Sequence, residues 1–205
     1  MIALIDYGAG NLTSVRKALS ALGADYFTPR TVSELDDAAA VIVPGVGHFE
    51  ATAAIDGGWR HAILMAADRG AALFGICLGM QWLFDGSDEA PGAPGLGLFR
   101  GSCVHLARAS ASGKSEGPFK VPHVGWNSLR FPVASAAMEG LDQDTQVYFT
   151  HSYVAPLVPE SCAITTYGVD FTAAVERGRI AGVQFHPEKS GDAGLRILKN
   201  WLGSL

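Results

Sequence analysis

AALFGICLGMQWLFD, residues Ala71 to Asp85, opens with a short apolar run, Ala72-Leu73-Phe74, of the kind that forms a strand buried on both faces of a parallel sheet. Gly75-Ile76-Cys77-Leu78-Gly79 then has the G-x-nucleophile-x-G form of a strand-to-helix elbow, with a thiol where a hydroxyl can also sit. The glycines on either side are needed because the nucleophile occupies a strained backbone conformation, and a Cβ two residues away on either side would collide with neighbouring chain. After the turn, Leu78, Met80, Trp82, Leu83 and Phe84 resume a pattern compatible with a buried helix. A thiol at the start of a helix has its thiolate stabilised by the helix dipole and by unpaired N–H groups, and the same donors can hold an oxyanion. Taken alone, Cys77 reads equally well as a buried structural cysteine.

The rest of the chain narrows the choice. Its 205 residues, 48% hydrophobic and 17% charged, carry enough apolar material for a substantial core, and no Pro/Ser-rich linker divides them. A single domain over 1–205 is expected. The net charge of −5 comes without any basic block, which excludes nucleic acid and an anionic membrane as expected partners. Cys77, Cys103 and Cys162 form no C-x-x-C pair and are odd in number, so a reducing cytoplasm is the expected compartment. Met1 runs straight into Ile2-Ala3-Leu4-Ile5 without a charged leader, so neither export nor a membrane span is expected.

Ile2 to Ile5 reads as a first buried strand and Asp6-Tyr7-Gly8-Ala9-Gly10-Asn11 as a glycine-rich contact loop. Neither the third glycine of a dinucleotide turn nor a Lys-Ser/Thr pair follows, which weighs against a phosphate cradle. Leu12, Val15, Ala18, Leu19 and Leu22 share a helical face that Gly23 ends. Asp25 to Thr28 is a short strand, Ser33 to Asp37 the acidic start of a short helix, and Ala40 to Val43 a buried strand stopped by Pro44. Helix is expected from Phe49 to Met65, interrupted at Gly57-Gly58, with His48 as its capping residue. Strand, loop and helix alternate to Asp85, which signals an α/β fold with a largely parallel sheet.

The second half has a different grammar. Strands are expected over Arg100 to Leu106, Val124 to Phe131, Gln146 to Val154, Ala163 to Gly168, Phe171 to Glu176 and Arg179 to Phe185, with a hairpin turn at Arg177-Gly178. Ala107 to Gly117 reads as a loop, and a last helix over Asp192 to Trp201 presents Leu195, Leu198 and Trp201 to the core.

Ala181-Gly182-Val183-Gln184-Phe185-His186-Pro187-Glu188 supplies partners for the cysteine. In an extended segment alternate side chains share a face, so His186 and Glu188 are expected on the same side, an imidazole oriented by a carboxylate. An exposed His-Pro-Glu turn at a strand end is the bland alternative. With Cys77 as nucleophile, His186 as base and Glu188 as its orienter, acyl transfer through a thioester is the supported chemistry. Val46, in the flexible Pro44-Gly45-Val46-Gly47 stretch, and the elbow amide of Leu78 are the expected oxyanion donors. No His/Cys/Asp cluster has metal-ligand spacing, and no cofactor is expected.

Gly75-Ile76-Cys77-Leu78-Gly79-Met80-Gln81 and Gln184-Phe185-His186-Pro187-Glu188 resemble the two signatures of the class I glutamine amidotransferases. Asp6 to Asn11, Pro44 to Phe49, Pro122-His123-Val124-Gly125-Trp126-Asn127, Tyr148 to Tyr153 and Pro187 to Ser190 are similar to the glutaminase subunits of imidazole glycerol phosphate synthases, in histidine biosynthesis. The resemblance implies a flavodoxin-like α/β domain with antiparallel additions in its second half. It implies hydrolysis of L-glutamine to glutamate and ammonia by a Cys-His-Glu triad. The ammonia would pass to a separate (β/α)₈ cyclase subunit, the partner in a heterodimer. Carried onto this chain, Gly47, Gln81, Glu89, Ser152 and Tyr153 would hold the glutamine, and Asn11, Trp126 and Lys189 would face the cyclase. Glu89 also reads as a solvated loop acid, and Trp126 as plain core. A glutaminase feeding a pyridoxal phosphate, guanylate or anthranilate synthase, or a non-catalytic regulatory module, are the alternatives that the residues leave open.

Overall fold

The computed structural model describes residues 1–111 and 120–205. The first half runs β1 (Ile2–Leu4), α1 (Leu12–Ala21), β2 (Tyr26–Phe27), β3 (Ala40–Gly45), α2 (Gly57–Asp68), β4 (Ala72–Cys77) and α3 (Leu78–Trp82). The second runs β5 (Gly86–Ser87), β6 (Ser102–His105), α4 (Leu106–Ala111), β7 (His123–Ser128), β8 (Gln146–His151), β9 (Tyr153–Val154), β10 (Ser161–Thr166), β11 (Asp170–Arg177), β12 (Ile180–Val183) and α5 (Gly191–Gly203).

Strand β4 lies in the middle of a seven-stranded sheet of order β10-β11-β12-β4-β3-β1-β2. From β2 to β12 the pairings are parallel, and β11 and β10 are added antiparallel beyond them. The segment β2-β1-β3-β4 has the order of the flavodoxin-like doubly wound sheet. All six residues of β4 are buried. Phe74 and Ile76 point into one core, shared with Val15 and Leu19 of α1 and Leu198 and Trp201 of α5, whereas Leu73 joins Ile63 of α2 and Met80 and Trp82 of α3 on the other face. That two-sided burial is why the strand reads as a continuous apolar run rather than an alternation.

Several expectations are corrected. Pro44 does not stop its strand: β3 continues through Pro44↔Ile76 and Gly45↔Cys77. The Ile5 N–H donates to the Ile42 carbonyl, so the even-numbered residues of β3 face β1. The N–H that Pro44 lacks would point to that side, past the last paired residue of β1, and costs no ladder bond. The break expected at Gly57-Gly58 falls earlier. A 3-10 turn, Phe49–Ala54, ends before Asp56, whose carboxylate accepts from the Gly58 and Trp59 N–H groups and makes the glycines the first turn of α2. His48 caps that 3-10 turn through Nδ1, as expected. The acidic stretch at Ser33 forms only a 3-10 turn over Val32–Leu35.

The expected strand from Gln146 to Val154 divides at Ser152. β8 pairs with β7, and β9 pairs with β6 in a separate small sheet, while the Ser152 carbonyl accepts from the Leu106 N–H. Of the expected loop, residues 107–111 belong to α4 and Ser112 to Gly117 lie outside the described residues. The last hairpin turns at Gly178-Arg179, one residue later than expected, with Gly178 at φ +60 in the position that favours glycine. In α5, Ile197 is buried and Leu195 only half-buried. Among the described residues no helix is long and apolar enough to cross a membrane.

Candidate active site

The carboxyl ends of β3, β4 and β12 lie side by side and bring Gly45, Cys77 and the segment after Val183 together. Cys77 has φ +53 and ψ −105, the strained elbow that the glycine spacing requires. A Cβ on Gly75 would stand 2.6 Å from the Met80 nitrogen, and one on Gly79 would run into the Val43 carbonyl oxygen. Helix α3 is only five residues long, shorter than the apolar pattern suggests, because the chain turns at Leu83 and Phe84 toward β5.

Beyond β12 the chain bends at Gln184 and Phe185 and is extended at His186. Phe185 stacks edge-on against Phe149 in the core, and the residues on either side of it turn to the elbow. His186 Nδ1 and Glu188 Oε1 are 2.8 Å apart, with side chains only 1% and 2% exposed. The route differs from expectation: Pro187–Lys189 is a 3-10 turn, so Glu188 folds back onto the imidazole rather than sharing a strand face with it. His186 Nε2 is buried without a hydrogen-bond partner among the described residues. Burial lowers the imidazole pKa, but the interactions with Cys77 and Glu188 outweigh it and raise it to about 9.

Gly47, Cys77, Leu78, Gln81, Glu89, Ser152 and Tyr153 line one cavity of about 290 Å³, together with Pro122, Thr150 and His151. All five residues expected to hold substrate thus face the same space as the sulfur. Glu89 is half-buried there and accepts the Phe49 N–H at 2.8 Å through one oxygen. Gln81 spends both amide hydrogens inside the wall, on the Tyr153 carbonyl at 3.1 Å and on Gln184 Oε1 at 3.0 Å. Val46 is placed differently from its expected role: its N–H donates to the Ala9 carbonyl at 3.0 Å. Gly47 next to it sits at φ +98 with open space where a Cβ would be.

Asn11, Trp126 and Lys189 are exposed, Trp126 by 56%, which removes the core reading of that tryptophan. Asn11 also caps α1 by accepting the Ser14 N–H. A larger cavity, about 880 Å³, lies beside Phe131, Met138, Cys162 and Glu176. Burial pushes the Cys162 thiol there up to about 12, and Glu176 is occupied by Ser135 and by the Ala136 and Ala137 amides. Among the described residues no group of three or more His, Cys, Asp or Glu is arranged to hold a metal ion.

Sequence reasoning missed three neighbours of the sulfur. Gln184 Nε2 lies 3.5 Å from Sγ, and the Thr150 carbonyl 3.9 Å. Tyr7 is coupled electrostatically to Cys77, although burial is the larger cause of its raised pKa, and its hydroxyl has no hydrogen-bond partner among the described residues. Behind the cavity, His123 Nδ1 meets His151 Nε2 at 3.0 Å. The chain of donors fixes both tautomers: His151 Nδ1 donates to the Tyr153 carbonyl, and Asn127, anchored on the Thr166 carbonyl, donates to His123 Nε2. Both rings are accordingly neutral. Burial lowers His123 to about 4; burial, then the proximity of His123, lowers His151 to about 3. Since the unfolded chain takes up protons below about 6.5 that the folded pair refuses, stability is full above that pH and falls as pH drops toward 4. The urea midpoint should fall less between about pH 7.5 and about pH 5 in His123→Gln than in the parent; an equal fall would show that the pair does not carry this dependence.

The model of the family described as glutamine amidotransferase class-I matches residues 3–204. The chain belongs to the class-I glutamine amidotransferases. Among its amidotransferase relatives, imidazole glycerol phosphate synthase subunit HisH of Geobacillus kaustophilus (strain HTA426) is 45% identical over 99% of this chain and 96% of its own. The subunit of the same description from Deinococcus radiodurans is 44% identical over 98% of this chain and 92% of its own. A crystal structure described only as a glutamine amidotransferase superposes with TM-score 0.73 at 22% identity, covering 99% of this chain and 97% of that one, and shows the shared amidotransferase fold.

Proposed function

We propose that this chain is the glutaminase subunit of an imidazole glycerol phosphate synthase and hydrolyses L-glutamine to glutamate and ammonia. The observation that carries the proposal is the buried Glu188–His186 pair, whose imidazole interacts with Cys77, beside a cavity sized for a small molecule that the sulfur lines. Likeness to HisH subunits over nearly the whole chain selects the acceptor.

In this reading His186 Nε2, which has no hydrogen-bond partner among the described residues, takes the Cys77 proton, and the sulfur attacks the carboxamide carbon. Glu188 holds the opposite ring nitrogen and supports the imidazolium. The imidazolium returns its proton to the departing ammonia, and water then opens the thioester with His186 again as base. Leu78, the first helical residue, has an N–H with no partner one turn back and supplies one oxyanion donor. Val46 becomes the second only when its N–H leaves the Ala9 carbonyl, a rotation of the Gly45-Val46 peptide that the glycine at its start permits. Glu89 keeps an oxygen for the ammonium end of glutamine, and the Gly47 and Ser152-Tyr153 backbone takes the remaining polar groups.

Ammonia is passed to a separate (β/α)₈ cyclase bound over Asn11, Trp126 and Lys189. Val124 and Trp126, each 56% exposed on β7, supply the apolar part of that face. The test is glutamate release by the purified chain, with and without the cyclase subunit and the cyclase's nucleotide substrate. The proposal expects the two chains to copurify and release to rise when both additions are present. Copurification of a different synthase, or no release with the cyclase present, would overturn it.

A further inference from the structure

We infer that Gln184 is a catalytic residue, whose side-chain N–H donates to Cys77 Sγ and stabilises the thiolate. The inference rests on Cys77 being the nucleophile. Gln184 is fully buried, with Nε2 at 3.5 Å from the sulfur. Its orientation is not free. The Tyr153 carbonyl can only accept, so the group that Gln81 turns toward it is the NH₂, and the second hydrogen of that NH₂ goes to Gln184 Oε1. With its oxygen bound to Gln81, Gln184 has only its NH₂ to offer the sulfur. The direction of the donor is thus set by a backbone carbonyl two hydrogen bonds away.

In the resting thiol, Sγ lies within weak donating range of the Thr150 carbonyl while accepting from Gln184. When the S–H bond breaks, the proton passes to His186 Nε2 and the electron pair stays on sulfur. The Thr150 contact then loses its hydrogen, and the Gln184 contact becomes a bond to a charged acceptor, the stronger kind. The titratable groups facing the sulfur are His186, with Glu188 behind it, and Tyr7, and Glu89, His151 and Tyr153 line the same cavity. Tyr7 offers no compensating charge, since its phenol stays neutral. A buried amide that merely needed partners would fill the same space, so the test must read the sulfur itself.

The rate of iodoacetamide alkylation at Cys77, read from the mass of its peptide in the full chain, should be followed over about pH 5 to about pH 10. In Gln184→Met the inflection should move up by about one pH unit, with about tenfold less reactive thiolate below it. Gln81→Met, which frees the amide to rotate, should move it up by less. Profiles for both variants that superimpose on the parent would overturn the inference. If Gln184→Met does not fold, Gln81→Met decides: an upward shift supports the locked donor and superposition refutes it. Glutamate release by Cys77→Ala separates the two ideas, because release that survives defeats the functional reading itself, whereas loss of release with superimposed profiles defeats only the role of Gln184.

Discussion

Glutamate release by the cyclase-bound chain should fall by on the order of 10⁴-fold or more in Cys77→Ala. Without the sulfur there is no covalent route, and what remains is water held in a polar cavity beside His186. His186→Ala should cost as much, since its imidazole is the buried base that interacts with Cys77. The double variant should be no slower than either single one, because the two groups perform one proton transfer and one bond formation between them. Glu188→Gln should lose less: it keeps the base and the nucleophile but presents the wrong partner to Nδ1–H and withdraws a charge from a pair that is nearly solvent-free. A coupled assay for glutamate, run with the cyclase and its nucleotide present, measures all four. If Cys77→Ala kept more than about one part in a hundred of the parent rate, attack by sulfur would be the wrong mechanism.

The three residues of the proposed triad were legible in the sequence because each announces itself locally. Cys77 follows a run buried on both sides and is bracketed by Gly75 and Gly79, and both glycines prove to be in backbone contact. His186 and Glu188 were found for a partly mistaken reason, since the pair meets through a 3-10 turn rather than along a strand. Proline was the ambiguous signal. Pro187 begins that turn and Pro44 leaves its strand intact, and which happens depends on where the neighbouring strand ends, a fact outside the local sequence.

What stayed hidden was hidden for physical causes. Gln184 lay in the same segment as His186, but β12 ends at Val183 and the chain bends at Gln184 and Phe185, so strand alternation could not show that its amide meets the sulfur. The direction of the Val46 N–H leaves no trace in composition, because a peptide unit next to glycine turns over at little cost. The division of Gln146 to Val154 into β8 and β9 is set by two partners distant in sequence, β7 and β6, and an apolar pattern cannot distinguish one strand with one neighbour from two strands with different ones.

The largest loss of stability from a single methyl group should come from Gly79→Ala. The added Cβ would enter the Val43 carbonyl oxygen and approach its carbon to 2.8 Å, both backbone atoms of a strand paired on either side. No side chain is available to yield. Either α3 lifts from β3, opening the core around Met80 and Trp82, or β3 loses its register with β4, so the cost should be about 3 kcal/mol or more. That is a large share of the roughly 5–15 kcal/mol that holds a domain together, and it should lower the melting temperature by about 6 °C or more. Gly57→Ala is the control: its Cβ meets nothing within 4 Å and it opens α2 behind the Asp56 cap, so its midpoint should stay within about 2 °C of the parent. The contrast tests more than packing. Cys77 can be held at φ +53 only if the helix that follows it docks directly on β3, and Gly79 is the point of closest approach. A Gly79→Ala chain that melted with the parent would mean that the elbow tolerates a wider separation, and that the strained position of the sulfur is not imposed by this contact.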